Sequence, residues 1–92
     1  MIYTEAMREA VKRLAAPNDF VVDIVEYDEY PPFLGIQFYQ SQWEHYNEDE
    51  RLRCVAYLVN LRQLLMGFGA NVTLDPIADD GKNLPTNRKG VR

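Results

Sequence analysis

The stretch NEDERLRCVAYLVNLRQLLM, residues 47–66, decides the fold. Apolar residues recur in it at three- and four-residue spacing, so it reads as one helix, with its entry extending back toward Ser41. Twenty residues make about 30 Å of helix, against a radius of gyration of about 12 Å expected for a chain of this length. Such a helix crosses the whole domain. Its apolar residues form two stripes. Leu52, Val55, Ala56, Val59 and Met66 make one; Cys54, Tyr57, Leu58, Leu61, Leu64 and Leu65 make another, nearly opposite. Arg53 and Asn60 lie in one seam between them, Arg51 and Arg62 in the other. A helix apolar on two sides must be covered on two sides. A cover that the chain does not supply falls to a partner or to a second copy.

The flanking segments offer one sheet and one further helix. Residues 4–16 form an amphipathic helix with Tyr3, Met7, Ala10, Val11 and Leu14 on one stripe. Thr4 is its N-cap, Glu5 sits in the first turn, and Glu9 and Arg13 are an i,i+4 pair. Pro17 and Asn18 stop it. Residues 19–27 alternate as a β-branched strand, with Phe20, Val22 and Ile24 on one face and Val21, Asp23, Val25 and Tyr27 on the other. FLGIQFYQ, residues 33–40, is a second strand with Leu34, Ile36 and Phe38 inward. The short connection 28–32 makes the two an antiparallel hairpin. Gly67 and Gly69 end the long helix. Residues 70–77 form a short third strand with Val72 and Leu74 inward, which Pro76 restricts to an edge or a strand end. Apolar periodicity stops at Ala78. The order α-β-β-α-β implies a small single α+β domain over 1–78, its helices packed on a short antiparallel sheet, and a flexible polar and basic C-terminal tail over 79–92.

Charge divides along the same boundary. The 92 residues carry a formal charge of −4. Residues 1–80 hold 6 Lys/Arg and 14 Asp/Glu, or −8, whereas 81–92 hold four cations and no acid, or +4. The length allows one domain. No run approaches the ~18 apolar residues of a membrane span. The N-terminus lacks the apolar core of a signal peptide, which makes the cytosol the default location. The single Cys54 cannot form an internal disulfide. A body at −8 is repelled by nucleic acid and disfavours non-specific DNA coating. A basic protein surface is its natural partner; the ordinary alternative is that the charge serves solubility. Four tail contacts to single-stranded RNA give a salt slope of about −2.8, or roughly 50-fold in affinity between 50 and 200 mM salt. That is too little for tight binding by the tail alone.

Catalytic chemistry lacks its parts. Cys54 lies mid-helix among apolar neighbours and reads as a small core residue. His45 is the only histidine. The acids Asp23, Glu26, Asp28 and Glu29, and Glu44, Glu48, Asp49 and Glu50, read as solvated faces. Asp75, Asp79, Asp80 and Asn83 near Gly81 do not match a calcium loop, and a zinc site would need a second Cys or His. Gly67-Phe68-Gly69 follows a helix, whereas a phosphate loop precedes one. No catalytic residue, metal, cofactor or small-molecule substrate is therefore expected. The aromatic residues are more telling: Tyr27, Tyr30, Phe33, Phe38, Tyr39, Trp43 and Tyr46 crowd into 20 residues. Tyr and Trp are enriched at protein interfaces.

From MIYTEAMREAVKRLAAPNDF (1–20) through YPPFLGIQFYQSQWEHY (30–46) to LPTNRKGVR (84–92), the chain resembles a phage-encoded anti-CRISPR protein of the type I-F class. The likeness is to the whole chain, its length and its charge, and not to a motif. It implies a non-enzymatic inhibitor in the cytoplasm of the bacterial host. Such an inhibitor binds the RNA-guided surveillance complex, a guide RNA with several Cas subunits, and blocks target DNA recognition. With no shared motif, the resemblance carries over no residue roles; these come from the chemistry of the chain. A surveillance complex exposes Lys/Arg channels meant for DNA. The acids Asp28, Glu29, Glu48, Asp49 and Glu50 are suited to those cations, and Tyr30, Phe33, Trp43 and Tyr46 to apolar anchoring. Lys82, Arg88, Lys89 and Arg92 are suited to guide-RNA phosphates. The two-striped helix keeps a second reading open: a small homodimeric regulatory or antitoxin-like interaction module.

Overall fold

A computed structural model describes residues 3–78. The chain runs α1 (Glu5–Lys12), a 3₁₀ turn (Pro17–Asp19), β1 (Asp23–Tyr27), β2 (Phe33–Tyr39), α2 (Gln40–Glu44), α3 (Glu48–Gly67) and β3 (Val72–Ile77). This is the expected α+β order, with one short helix added. The tail 79–92 lies outside the described residues.

The strand order is β1-β2-β3. β1 and β2 pair antiparallel as expected, with Tyr27 opposite Phe33 and Asp23 opposite Gln37. β2 and β3 pair parallel, from Leu34 opposite Val72 to Tyr39 opposite Ile77. The sheet is therefore mixed rather than antiparallel throughout. The reason is the connection: parallel neighbours need a crossover of a dozen or more residues, usually helical, and α3 is that crossover. Pro76 sits on the edge strand, where its missing N–H costs least.

Local chemistry sets the element ends. The Thr4 hydroxyl accepts from the Met7 N–H at 3.3 Å, so Thr4 caps α1 as expected. α1 is shorter than its pattern. Arg13 already caps its C-terminus, yet Val11 and Leu14 still pack on the core. Glu9 pairs with Lys12 at 3.3 Å rather than with Arg13. β1 starts four residues later than its alternation predicts. The Gln42 side chain takes both the Val21 N–H (2.7 Å) and the Val21 carbonyl (2.9 Å). Asn47 separates α2 from α3: its side chain accepts from the Glu50 N–H at 2.8 Å, and Glu50 accepts from the Asn47 N–H at 2.9 Å. Asn47→Ala removes this reciprocal cap and lowers stability by about 1 kcal/mol, read as a shifted urea midpoint at unchanged slope.

The helices lie on the inner face of the sheet. Leu34 and Ile36 of β2, Met7 of α1, Cys54, Leu58, Leu61 and Leu65 of α3, and Val72 of β3 form one buried cluster with Tyr3 and Phe20. Val22, Ile24 and Phe38 pack against it. The 3₁₀ turn clamps onto α3. Asn18, at φ 55°, donates from Nδ2 to the Glu50 carbonyl at 3.2 Å, and its own carbonyl accepts from the Tyr46 hydroxyl at 2.8 Å. Of the two stripes on α3, one is buried. The other stays exposed: Leu52 63%, Val55 42%, Val59 43% and Met66 46%. The segment that follows α1 does not cover it: Leu14, Ala15 and Pro17 lie along the Arg53–Ala56–Tyr57–Asn60 flank.

Candidate partner-binding surface

The predicted contact residues separate into two groups at opposite ends of β2, about 23 Å apart for seven residues of strand. At one end, Asp28, Glu29 and Tyr30 occupy the exposed β1–β2 connection, with Tyr30 99% exposed. Phe33 follows and stacks on Tyr27, ring centroids 4.6 Å apart and planes 16° apart. At the other end, Glu48, Asp49 and Glu50 form the first turn of α3, where the helix dipole favours acids. Glu48 and Asp49 are exposed, whereas Glu50 is held by the Asn47 cap. Lys82, Arg88, Lys89 and Arg92 lie outside the described residues.

Trp43 and Tyr46 have different fates. Trp43 lines a groove of about 460 Å³ with Phe38, Val55, Val59, Leu74 and Pro76, and Glu44 stands at its rim. The backbone of Trp43 is fixed by Arg51, whose Nε donates to its carbonyl at 3.0 Å. Tyr46 is spent inside the fold. Its hydroxyl donates to Asn18, and its ring meets Phe20 edge-on at 6.3 Å. It serves the clamp between the 3₁₀ turn and α3.

What joins the two ends is the uncovered stripe of α3. At the connection end, a depression of about 520 Å³ is lined by Glu29, Tyr30, Phe33, Arg62, Met66 and Thr73. Val55 and Val59 line the groove at the other end. Leu52, Val55, Val59, Arg62 and Met66 thus run between two hollows, each edged by acid. Leu74, on the inner face of β3, is 40% exposed for the same reason: it forms the groove wall instead of the core. Sequence reasoning had singled out the stripe as needing a cover. It missed Leu74 and Pro76 as parts of the surface, because their place depends on β3 lying beside β2.

Among the described residues no group of three or more His, Cys, Asp or Glu could hold a metal. Cys54 is fully buried, and burial pushes its thiol up from the ordinary 9.0; burial also raises the phenols of Tyr46 and Tyr57 above 10.0. All three are acids that the folded state holds protonated. In the window between unfolded and folded values the unfolded chain has released protons that the native chain keeps, so stability falls as pH rises. Urea midpoints should therefore hold steady up to about pH 8.5 and decline above it.

No family model matches the chain, and no curated protein or solved structure matches it either. No helix among the described residues is long and apolar enough to cross a membrane.

Proposed function

We propose that this protein is a non-enzymatic inhibitor, of the anti-CRISPR kind, that binds the type I-F guide-RNA surveillance complex and blocks recognition of target DNA. The reading is supported by the apolar strip of Leu52, Val55, Val59 and Met66 set between acidic ends, Asp28 and Glu29 at one and Glu44, Glu48 and Asp49 at the other. A buried apolar centre with charged flanks is the usual anatomy of a protein interface. Acids at both ends match a partner that presents separated Lys/Arg groups, as a channel built for DNA does. The basic residues at 82–92 supply the opposite sign for guide-RNA phosphates, and an interface of both signs favours a ribonucleoprotein over protein or RNA alone. The inhibitor acts on the Cas subunits of the complex in the cytoplasm of the bacterial host.

The test is direct. The purified protein is mixed with a type I-F surveillance complex, and target DNA binding is measured. A co-eluting complex and loss of DNA binding are expected; no complex and undisturbed DNA capture overturn the reading. Within it, Arg88→Glu, Lys89→Glu and Arg92→Glu together weaken binding and flatten its salt dependence. An unchanged salt slope removes the tail from the interface.

One observation favours a second reading. Leu52, Val55, Val59, Arg62 and Met66 follow alternating three- and four-residue steps, the spacing of a helix–helix seam. A second copy could lie there, which would give a homodimeric regulatory or antitoxin-like module. Light scattering across micromolar concentrations separates the two: a mass that rises to twice 10.7 kDa supports the dimer, and a constant monomer mass excludes it.

A further inference from the structure

The outer face of the sheet is built differently from the surface just described. The register sets Asp23, Gln37 and Asp75 in one row across the three strands. Gln37 is fully buried, with 0% exposure. Its Nε2 donates to the Tyr27 hydroxyl at 2.7 Å, and that hydroxyl donates to Asp75 Oδ2 at 3.2 Å. Gln37 Oε1 is left with no hydrogen-bond donor. The row therefore holds two carboxylates and an amide oxygen without a donor, and the donors described at it are the Gln37 amide and the Tyr27 hydroxyl. Every lysine and arginine among the described residues is on α1, its C-cap Arg13, or α3, the layer on the inner side of the sheet. Among the described residues Asp23 and Asp75 accordingly form no ion pair: the one found there joins Lys12 to Glu9.

Beside the row lies a flat aromatic pair, Tyr27 stacked on Phe33. Gly35 holds this arrangement. A Cβ at that position would come within 2.7 Å of the Tyr27 ring and 2.8 Å of Asp75 Oδ2. The absent side chain is what lets the ring and the carboxylate close over the middle strand.

An excess of acceptors next to a planar π face selects its ligand. Arginine offers five N–H donors in a rigid plane that both pairs with a carboxylate and stacks on an aromatic ring. Lysine offers a strongly hydrated point charge with no plane to stack. Phosphates are repelled by Asp23 and Asp75. A divalent cation fits poorly, because the two aspartates stand two strands apart, about 10 Å between Cα atoms.

We infer that the outer sheet face is a docking site for an arginine side chain of a basic partner protein, with its guanidinium laid against the Tyr27–Phe33 pair and donating to Asp75. Asp23 adds to the attracting field, and Gln37 Oε1 takes a second N–H once the Tyr27 ring tilts to admit it. This assignment goes beyond the proposed inhibitor function and does not depend on it, since a free arginine derivative probes the face by itself.

The experiment is an amide-detected NMR titration of the full chain with Nα-acetyl-arginine amide, with Nα-acetyl-lysine amide and calcium chloride as parallel arms. Saturable shifts are expected in the Gly35 and Thr73 backbone amides and the Gln37 side-chain amide, half complete at roughly 10 mM arginine derivative. Asp75→Asn retains an acceptor for Tyr27 and should weaken the response tenfold or more with an unchanged thermal melt. Asp23→Asn serves the same purpose if Asp75→Asn fails to fold. Glu48→Gln, remote from the row, should leave the response intact. The inference is overturned by an absent response, by an equal response to the lysine derivative or to calcium, or by a response that survives both aspartate changes. Shifts that appear only after removal of residues 81–92 would assign the face to the chain's own basic residues and equally overturn it.

Discussion

Leu61→Ala lowers the unfolding free energy by about 2–5 kcal/mol, with an unchanged denaturant slope, while Leu52→Ala on the same helix changes it by no more than about 0.5 kcal/mol. Leu61 is fully buried at the centre of the cluster formed by Leu34, Ile36, Leu58 and Leu65. Its truncation loses both the transfer energy of the removed carbons and the contacts around the void they leave. A domain of this size has about 5–15 kcal/mol in total, so one such change removes a large share. Leu52 is 63% exposed and leaves no void. The contrast tests which stripe of α3 faces the core. Equal effects at the two sites would mean that both stripes are covered in solution, and would return the second copy to the account.

The other large effect concerns binding. Val55→Lys with Val59→Lys should leave the thermal melt close to that of the parent, because both valines are more than 40% exposed. The same pair should weaken association with the surveillance complex by more than about 30-fold, the equivalent of losing one hot spot of about 2 kcal/mol. Two causes act together. The lysines place charge where apolar surface would be buried, and in the proposed complex they would face Lys/Arg groups of the partner. A binding curve that matches the parent's would remove the α3 stripe from the interface, whatever the complex does otherwise.

How far these features could be read in the residues follows from how local each one is. The long helix was legible because its period repeats over five turns. The hairpin was legible because a short connection joins two alternating runs. The parallel sense of β3 was not, since it depends on which side of β2 the returning strand takes; only the length of the crossover hinted at it. The burial of Gln37 was also hidden. Alternation places it on the outward face, yet it is fully buried and bonded to the Tyr27 hydroxyl, a contact between strands that no local pattern announces. Among the aromatic residues, sequence gave Trp43 and Tyr46 equal weight as anchors. The fold separates them: Tyr46 bonds to Asn18 across 28 positions of chain and packs on Phe20, whereas Trp43 lines the groove. The uncovered stripe was the part of the surface that periodicity could name in advance. Its completion by Leu74 and Pro76 required three dimensions.

The parallel pairing of β2 with β3 also sets an order of assembly. The β1–β2 hairpin closes across five residues, whereas Leu34 must find Val72 across the whole of α3. Contacts so far apart in sequence incur their loop-closure entropy before they return any energy, and they form late. β3 is therefore the last strand to settle, and Leu74 and Pro76 complete the groove with it. Binding competence then follows the docking of one six-residue strand. Anything seated in the groove would hold that strand shut by mass action, and hydrogen exchange would show it first in the amides of β3.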